Sequence, residues 1–314
     1  MRKKFDVTFA GEINLDLILY GTAEELPTER ELLAQQSLLT LGSSSAICAH
    51  NLSVMGAWVG FITRSGNDAL GQLALQKLKS SGVDLTAATR SKQTPTGITV
   101  ILPHKRGRHI VTYPGTIFEM TYKDLDINYL ASARHFHMSS FFLHRKLRKD
   151  IPRLFRALKK AGVSTSLDTN DDPQEAWTED GILEETLKYV DVFLPNEREA
   201  LKITATPKVE DAARKLAEKV ATAVVKLGPR GAMAVNRGQR IAAESVKVDV
   251  IDPIGAGDSF DAGFIYQFVR GAPLAKCLQW GNLAGAFSTT QPGGTEAFRN
   301  RKNWREFLRK HQAT

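Results

Sequence analysis

Cysteine is nearly absent from this chain of 314 residues. Cys48 and Cys277 are the only two, too few for a disulfide framework or a thiolate-held metal. Long apolar runs are absent too, and nothing approaches the roughly 20 residues that a membrane-spanning helix needs. The basic start Met1-Arg2-Lys3-Lys4 is like the opening of a secretory signal, but Asp6, Glu12, Asn14 and Asp16 interrupt the apolar stretch behind it. A cytoplasmic protein with no membrane partner is expected. There is no Gly-Lys dipeptide, which removes the P-loop. Zinc-finger spacing, an RNA-binding sheet motif and a basic-zipper heptad are also missing. The formal charge of +8 is mostly diffuse. Its one local cluster, Arg299-Asn300-Arg301-Lys302-Asn303-Trp304-Arg305, suits the solvated face of a C-terminal helix, so no nucleic-acid partner is expected.

What is present is ordinary for a globular chain, 42% hydrophobic and 24% charged. The length suffices for one large α/β domain or two small ones. Strands are expected at Phe5 to Ala10, Leu15 to Tyr20 and Val59 to Thr63, with helices over 45–56 and 69–81 closed by Gly56 and Gly82. Residues 97–117 form a hairpin around His104-Lys105-Arg106-Gly107-Arg108. Strands then recur at His135 to Phe142, Val163 to Asp168, Val190 to Leu194, Ala223 to Leu227 and Val246 to Ile251, mostly with helical segments between them. Such alternation predicts a doubly wound, mostly parallel sheet flanked by helices. With no linker or repeat, one domain over 1–314 is expected, carrying a small β lid from about 15–41 and 95–118.

The segment with the clearest chemistry is Asp252-Pro253-Ile254-Gly255-Ala256-Gly257-Asp258, which precedes a helix with Phe260, Phe264, Ile265, Phe268 and Val269 on its apolar face. Glycines at a helix start leave backbone N–H groups open to an anion, and the helix dipole adds positive potential. A carboxylate beside bound phosphate is costly unless it acts, and a base taking a hydroxyl proton would be such an action. The plainer alternative is a tight turn with Asp258 charging the helix start. A dinucleotide fingerprint would need glycine where Phe260 stands.

Asp252 to Gly263 resembles the second signature of the ribokinase (PfkB) family of carbohydrate kinases, and the likeness runs over nearly the whole chain in the family's order. The resemblance implies an ATP- and Mg²⁺-dependent kinase. It gives Asp258 the role of general base, with Gly255, Ala256 and Gly257 as the anion hole and Asp252 near a monovalent-cation site (K⁺ being one such ion) in members that use one. Pro195-Asn196-Glu197-Arg198-Glu199 is similar to the family's Asn-x-x-Glu motif, in which Asn196 and Glu199 would organise magnesium, its waters and the phosphates. A capped helix start explains the same letters. Lys226-Leu227-Gly228-Pro229-Arg230-Gly231 resembles the nucleotide-binding strand end. That places Lys226, Gly228 and Gly231 with the cofactor, Lys226 and Gly228 at the phosphates; an ordinary turn is the alternative. Asn282 matches an adenine-pocket position, or is a solvated helix residue.

On the acceptor side, Gly11-Glu12-Ile13-Asn14-Leu15-Asp16 resembles the family's N-terminal strand end, whose Asn14 and Asp16 positions hold substrate hydroxyls. Gly42-Ser43-Ser44-Ser45-Ala46-Ile47 aligns with Gly-Gly-x-x-x-Asn, so Gly42 and Ser43 are assigned to substrate. Here Ser43 replaces the second glycine and Ile47 replaces the asparagine, which predicts a more apolar wall and poor use of ribose. Asp168 ends a strand and supports either phosphate chemistry or its own loop. His135 and His137 share a strand face without a third ligand and are expected in the core or lining a pocket. Tyr113 is either a stacking ring or a turn residue. The acceptor implied is a sugar or sugar acid, with a nucleoside next. A non-catalytic ribokinase-like binding protein is the rival from another class, and a homodimer through the lid is left open.

Overall fold

Strand and helix alternate along most of the chain, and the computed structural model, which describes residues 3–312, shows where each goes. The strands are β1 (Phe5–Ala10), β2 (Asn14–Tyr20), β3 (Gln36–Leu41), β4 (Val59–Ile62), β5 (Arg64–Gly66), β6 (Thr89–Ser91), β7 (Gly97–His104), β8 (Gly107–Tyr113), β9 (Ala133–Met138), β10 (Ser164–Leu167), β11 (Val192–Phe193), β12 (Thr222–Lys226), β13 (Ala232–Asn236) and β14 (Gln239–Ala243). The helices are α1 (Ser44–Val54), α2 (Ala69–Ser80), α3 (Ile127–Ala131), α4 (Ile151–Lys160), α5 (Ile182–Leu187), α6 (Glu197–Thr204), α7 (Val209–Ala217), α8 (Ala256–Phe268), α9 (Leu274–Ser288) and α10 (Arg301–Gln312).

Eight strands form the main sheet in the order β14-β13-β12-β11-β10-β9-β1-β4, parallel from β4 to β12 and closed by an antiparallel β13–β14 edge. Both faces are covered, as the period of two requires. Along β1, Val7 and Phe9 enter one apolar core and Ala10 the other; along β13, Ala232 and Ala234 oppose Met233 and Val235. The first core holds α1, α8, α9 and α10, and the second holds α4, α5 and α7. The chain winds from β1 out to β4, then returns to β9 on β1's other side. Winding reverses between β1 and β9, and open α/β sheets bind ligands at the strand C-termini there.

A separate four-stranded sheet, β3-β2-β7-β8, comes from the two segments expected to form the lid. β8 is its free edge, with Ile110, Val111 and Tyr113 exposed. The basic tail lies on α10, which buries Trp304 while its Lys and Arg side chains face outward. Among the described residues, no helix is long and apolar enough to cross a membrane.

Three expectations need correction. The expected strand from His135 to Phe142 stops at Met138, because Ser140 adopts φ +55° and a 3-10 turn follows over Phe141–Leu143. Val246 to Ile251 is no strand. That segment leaves the sheet, and Val250 and Ile251 are exposed while the Ile251 amide bonds the Thr289 carbonyl. The edge hairpin β13–β14 was not anticipated, since Arg237 and Gly238, both at positive φ, make a two-residue turn without the usual Asn-Gly letters.

Candidate active site

The chain turns into α8 at Gly255, where φ is +73°. A Cβ there would lie 2.4 Å from the Gly294 Cα, so only glycine fits. No side chain caps α8, leaving its first amides free of side-chain acceptors at the positive end of a 13-residue helix. A Cβ on Gly257 would meet only the Lys226 ammonium, at 3.6 Å, so the space above this turn is open. Asp258 follows in the first turn of the helix and is nearly buried. Burial, then the charge of Asp168, pushes its carboxyl up to about 6, with Lys226 and the Ser44 hydroxyl pulling the other way. Asp258 also acts electrostatically on Asp16, so the turn and the β2 carboxyl are coupled.

Behind the turn lies a buried charge cluster. Lys226 Nζ stands 2.6 Å from Asp168 Oδ2 and 3.2 Å from both carboxylate oxygens of Asp261. Burial opposes the ammonium charge, but Asp168 and then Asp261 more than offset it, so the Lys226 pKa is raised. Asp168 is held low by Lys226 against the effect of burial, whereas burial drives Asp261 well up. Asp168 connects onward: its Oδ1 accepts from the Asn170 amide, whose Oδ1 accepts from the Ser140 amide. The Ser140 hydroxyl donates to Glu12, which also accepts from the Ser45 amide and hydroxyl and lies 3.3 Å from His144 Nε2. Burial would raise the Glu12 pKa, but His144 outweighs it and holds the carboxylate low. This polar line runs along the C-terminal edge of the sheet from α1 to α8, across the reversal of winding. The sequence carried one signal for it: Asp261, three residues beyond Asp258, interrupts an otherwise apolar helix face.

On the nucleotide side, Asn196 caps α6, and Glu199 returns both oxygens to the Asn196 backbone and side-chain amides. Burial and then Asp168 push the Glu199 carboxyl up to about 8. The capped helix start is thus real, and Glu199 would reach a magnesium ion more readily through waters than directly. Asn196 forms a parallel bridge with Lys226, which brings the two motifs side by side. Gly228 (φ +60°) has no neighbour within 4 Å of a Cβ, while a Cβ on Gly231 would strike the Ala243 carbonyl at 2.1 Å. Gly228 is therefore open to a ligand and Gly231 is a packing glycine. Asn282 is buried and donates to the carbonyls of Ala243 and Glu244, so its amide ties α9 to the end of β14.

Asn14, Asp16, Gly42 and Ser43 converge. A Cβ on Gly42 would fall 2.1 Å from Asp16 Oδ1 and 2.4 Å from Asn14 Oδ1, and Ser43 Oγ donates to Asn14 over 2.8 Å. Asn14 in turn donates to Thr99 on the neighbouring strand β7 of the same sheet. Burial, then Asp258, pushes Asp16 up to about 7, and the Arg108 guanidinium on β8 lowers it. Ser43 holds φ +69°, a region that favours glycine. Ile47 is 3% exposed, with Gly294 and Gly255 against its branched end, so it backs the turn. His135 and His137 are core residues whose ring nitrogens meet Ser164, Ser166 and Ser139. Asp252 lies apart from Glu199: its Oδ1 accepts from the Ile254 amide, and its Oδ2 from the Gly293 amide and the Tyr20 hydroxyl. Tyr20, Arg108, Glu12 and Asp261 had not been singled out from the sequence for a role.

A parallel sheet wound both ways, a helix start built on glycine and a small covering sheet define a ribokinase-like α/β architecture. An E. coli structure solved with ATP and Mg²⁺ superposes with a TM-score of 0.83, at 23% identity, covering 98% of this chain and 99% of that one. The family of pfkB carbohydrate kinases matches residues 4–301. The chain belongs to that family and is an ATP-dependent carbohydrate kinase. Among curated relatives, the 2-dehydro-3-deoxygluconokinase of Bacillus subtilis (strain 168) is 29% identical over 92% of this chain and 90% of its own length. The ribokinase of Staphylococcus aureus (strain COL) is 27% identical over 93% and 95%.

Proposed function

We propose that this kinase phosphorylates a hydroxyl of a sugar or sugar acid, with Asp258 as the general base and the Gly255–Asp258 turn as the anion hole. The observation that carries this is Asp258 itself, nearly buried in the first turn of α8 and close enough to Ser44, Asp16 and Lys226 for their charges and hydrogen bonds to act together on one carboxyl. The residues suit ATP and Mg²⁺: uncapped helix amides, an open glycine at Gly228, and a cluster whose cation is buried. ATP supplies the phosphoryl group and Mg²⁺ offsets its charge. The chain's own contribution is positional and electrostatic. Asn14 and Asp16 orient the acceptor hydroxyls, Asp258 takes the proton of the attacking hydroxyl, and the amides of Ala256 and Gly257 meet the charge that develops. Lys226, fixed by Asp168 and Asp261, adds positive potential beneath the turn. Asn196 and Glu199 would hold magnesium through its waters, and Asn282 keeps the 243–244 segment in place.

The four-stranded sheet acts as a lid on one catalytic unit spanning 1–314, excluding the water that would compete as acceptor. Arg108 on that lid, whose charge reaches Asp16, favours an acceptor with an anionic group, hence a sugar acid over a neutral sugar. The open β8 edge, with Ile110, Val111 and Tyr113 exposed, supports pairing with a second copy, which light scattering of the purified protein would detect. The central test is ADP release with ATP, Mg²⁺ and a panel of sugars and sugar acids, repeated on Asp258→Asn. That variant keeps the shape but accepts no proton, so kcat should fall by about 10²–10⁴ while ATP still binds. A variant turning over within a few-fold of the parent would remove Asp258 from the role.

A further inference from the structure

Tyr20, the last residue of β2, donates its hydroxyl to Asp252 Oδ2 over 2.5 Å, a bond that crosses from the second sheet to the segment leading into α8. The amides of Ile254 and Gly293 occupy two further acceptor positions on the same carboxylate, at 2.9 and 3.0 Å. Three of the roughly four lone-pair positions of a carboxylate are thus filled, and Asp252 is 2% exposed. Burial and then Asp252 raise the pKa of the phenol, so it remains a donor. The sheet holds both segments that frame Gly255. Ile18 and Ile101 pack on Ile254, and Thr40 donates to Glu296 over 2.6 Å.

Asp252 is the residue that the family resemblance places near a monovalent cation, and its surroundings here do not suit one. We propose that Tyr20 is a positioning residue for the phosphoryl-transfer turn, its hydroxyl serving Asp252 in place of a monovalent cation, so that this kinase works without K⁺ or Na⁺. The proposal rests on the Gly255 turn being the phosphoryl site. Because the phenol belongs to the second sheet, the geometry of the turn also depends on that sheet being seated.

The test compares KCl with N-methylglucamine chloride at equal ionic strength, in the wild type and in Tyr20→Phe. Wild-type kcat should agree between the salts to within about two-fold, since hydrogen-bond donors already fill the acceptor positions that a cation would use. Tyr20→Phe removes a hydrogen bond to a charged group, so its kcat without K⁺ should fall roughly 10-fold. K⁺ should restore much of that loss by taking the vacated position. A merely structural tyrosine would show the loss without the rescue. Thermal unfolding provides a readout that needs no substrate: K⁺ should raise the Tm of Tyr20→Phe and leave the wild type unchanged. A wild type activated several-fold by K⁺, a Tyr20→Phe enzyme equal to wild type, or a loss that K⁺ does not restore would each overturn the proposal. If no acceptor in the panel releases ADP, the assigned reaction fails, while the two melting curves still decide the role of Tyr20.

Discussion

The two ends of the site are built by different means. The proposed phosphoryl end uses backbone: Gly255 at φ +73°, amides at the start of α8 that no side chain caps, and an open approach over Gly257. Backbone binding needs particular residues at particular positions, because a Cβ in the wrong place closes the site. The proposed acceptor end uses side chains, Asn14 and Asp16 from β2, Ser43 before α1 and Arg108 from β8, with Asn14 bonded to Ser43 and to Thr99 of the neighbouring β7. Side chains can be exchanged one at a time without disturbing the fold. One end therefore tolerates few substitutions, and the other can be changed residue by residue.

The comparison breaks first at its rigid end. Gly257→Val adds a branched side chain where only the Lys226 ammonium lies near, so the fold has room for it. The new methyls project over the turn, and kcat should fall by about 10²-fold or more with Tm nearly unchanged, the loss expected when a developing charge loses its donors. Gly255→Val should behave differently. Its Cβ would collide with Gly294 and its φ lies in the left-handed region, so stability falls as well as activity. Parallel kinetics and thermal unfolding separate the two. A folded and fully active Gly257→Val enzyme would mean that phosphate is held elsewhere.

The same contrast decides what could be read from the letters. The glycine turn, Asp258 and the Asn196–Glu199 pair were legible because they are short, local and tied to one helix start each. Tyr20 with Asp252 is separated by 232 positions, and Glu12 with Ser140 by 128, so no local pattern joins them. Ile47 shows a subtler limit. Its departure from asparagine was visible, but its contact with Gly255 and Gly294 was not, and that contact gives the apolar side chain work in supporting the turn. The sheet was legible through alternation, except at Val246 to Ile251, which lies outside it, at the end of the strand that stops at Met138, and at the β13–β14 edge, where backbone conformation rather than letters made the turn.

A pH profile sharpens the comparison at the point where the ends meet. The Asp258 carboxyl is pushed up to about 6 by burial and next by Asp168, and a base must be ionised to accept a proton. Below that value kcat/KM should fall about tenfold per unit on account of this base, beyond any change that Asp16, pushed up to about 7, and Glu199, pushed up to about 8, bring at higher pH. The sign for stability is opposite: a carboxyl with a raised folded pKa favours the fold as it protonates, from about 6 downward toward its unfolded value near 3.9. Loss of activity in that window is therefore not unfolding caused by this group. A rate independent of pH down to 5, with the protein folded, would exclude Asp258 as the base.

The smallest effect lies at Ser43, on the variable end. Its φ of +69° lies in the region that favours glycine, and its hydroxyl bonds Asn14 across 2.8 Å. A non-glycine residue in such a conformation costs on the order of 1–3 kcal/mol, and the hydroxyl returns about 0.5–1.5. Ser43→Gly relieves the first and forfeits the second, and glycine also gives the unfolded chain more freedom, worth about 0.4–1 kcal/mol. These terms nearly cancel, so its Tm should stay close to that of the parent. Ser43→Ala keeps the strain and loses the bond, and should be less stable than Ser43→Gly by roughly 1 kcal/mol. Both variants free the Asn14 oxygen, so both should shift the acceptor KM by a few-fold while the KM for ATP holds. The order of the two melting temperatures isolates the backbone: alanine above glycine would mean that Ser43 does not hold a left-handed conformation, and that its departure from the family glycine carries no strain.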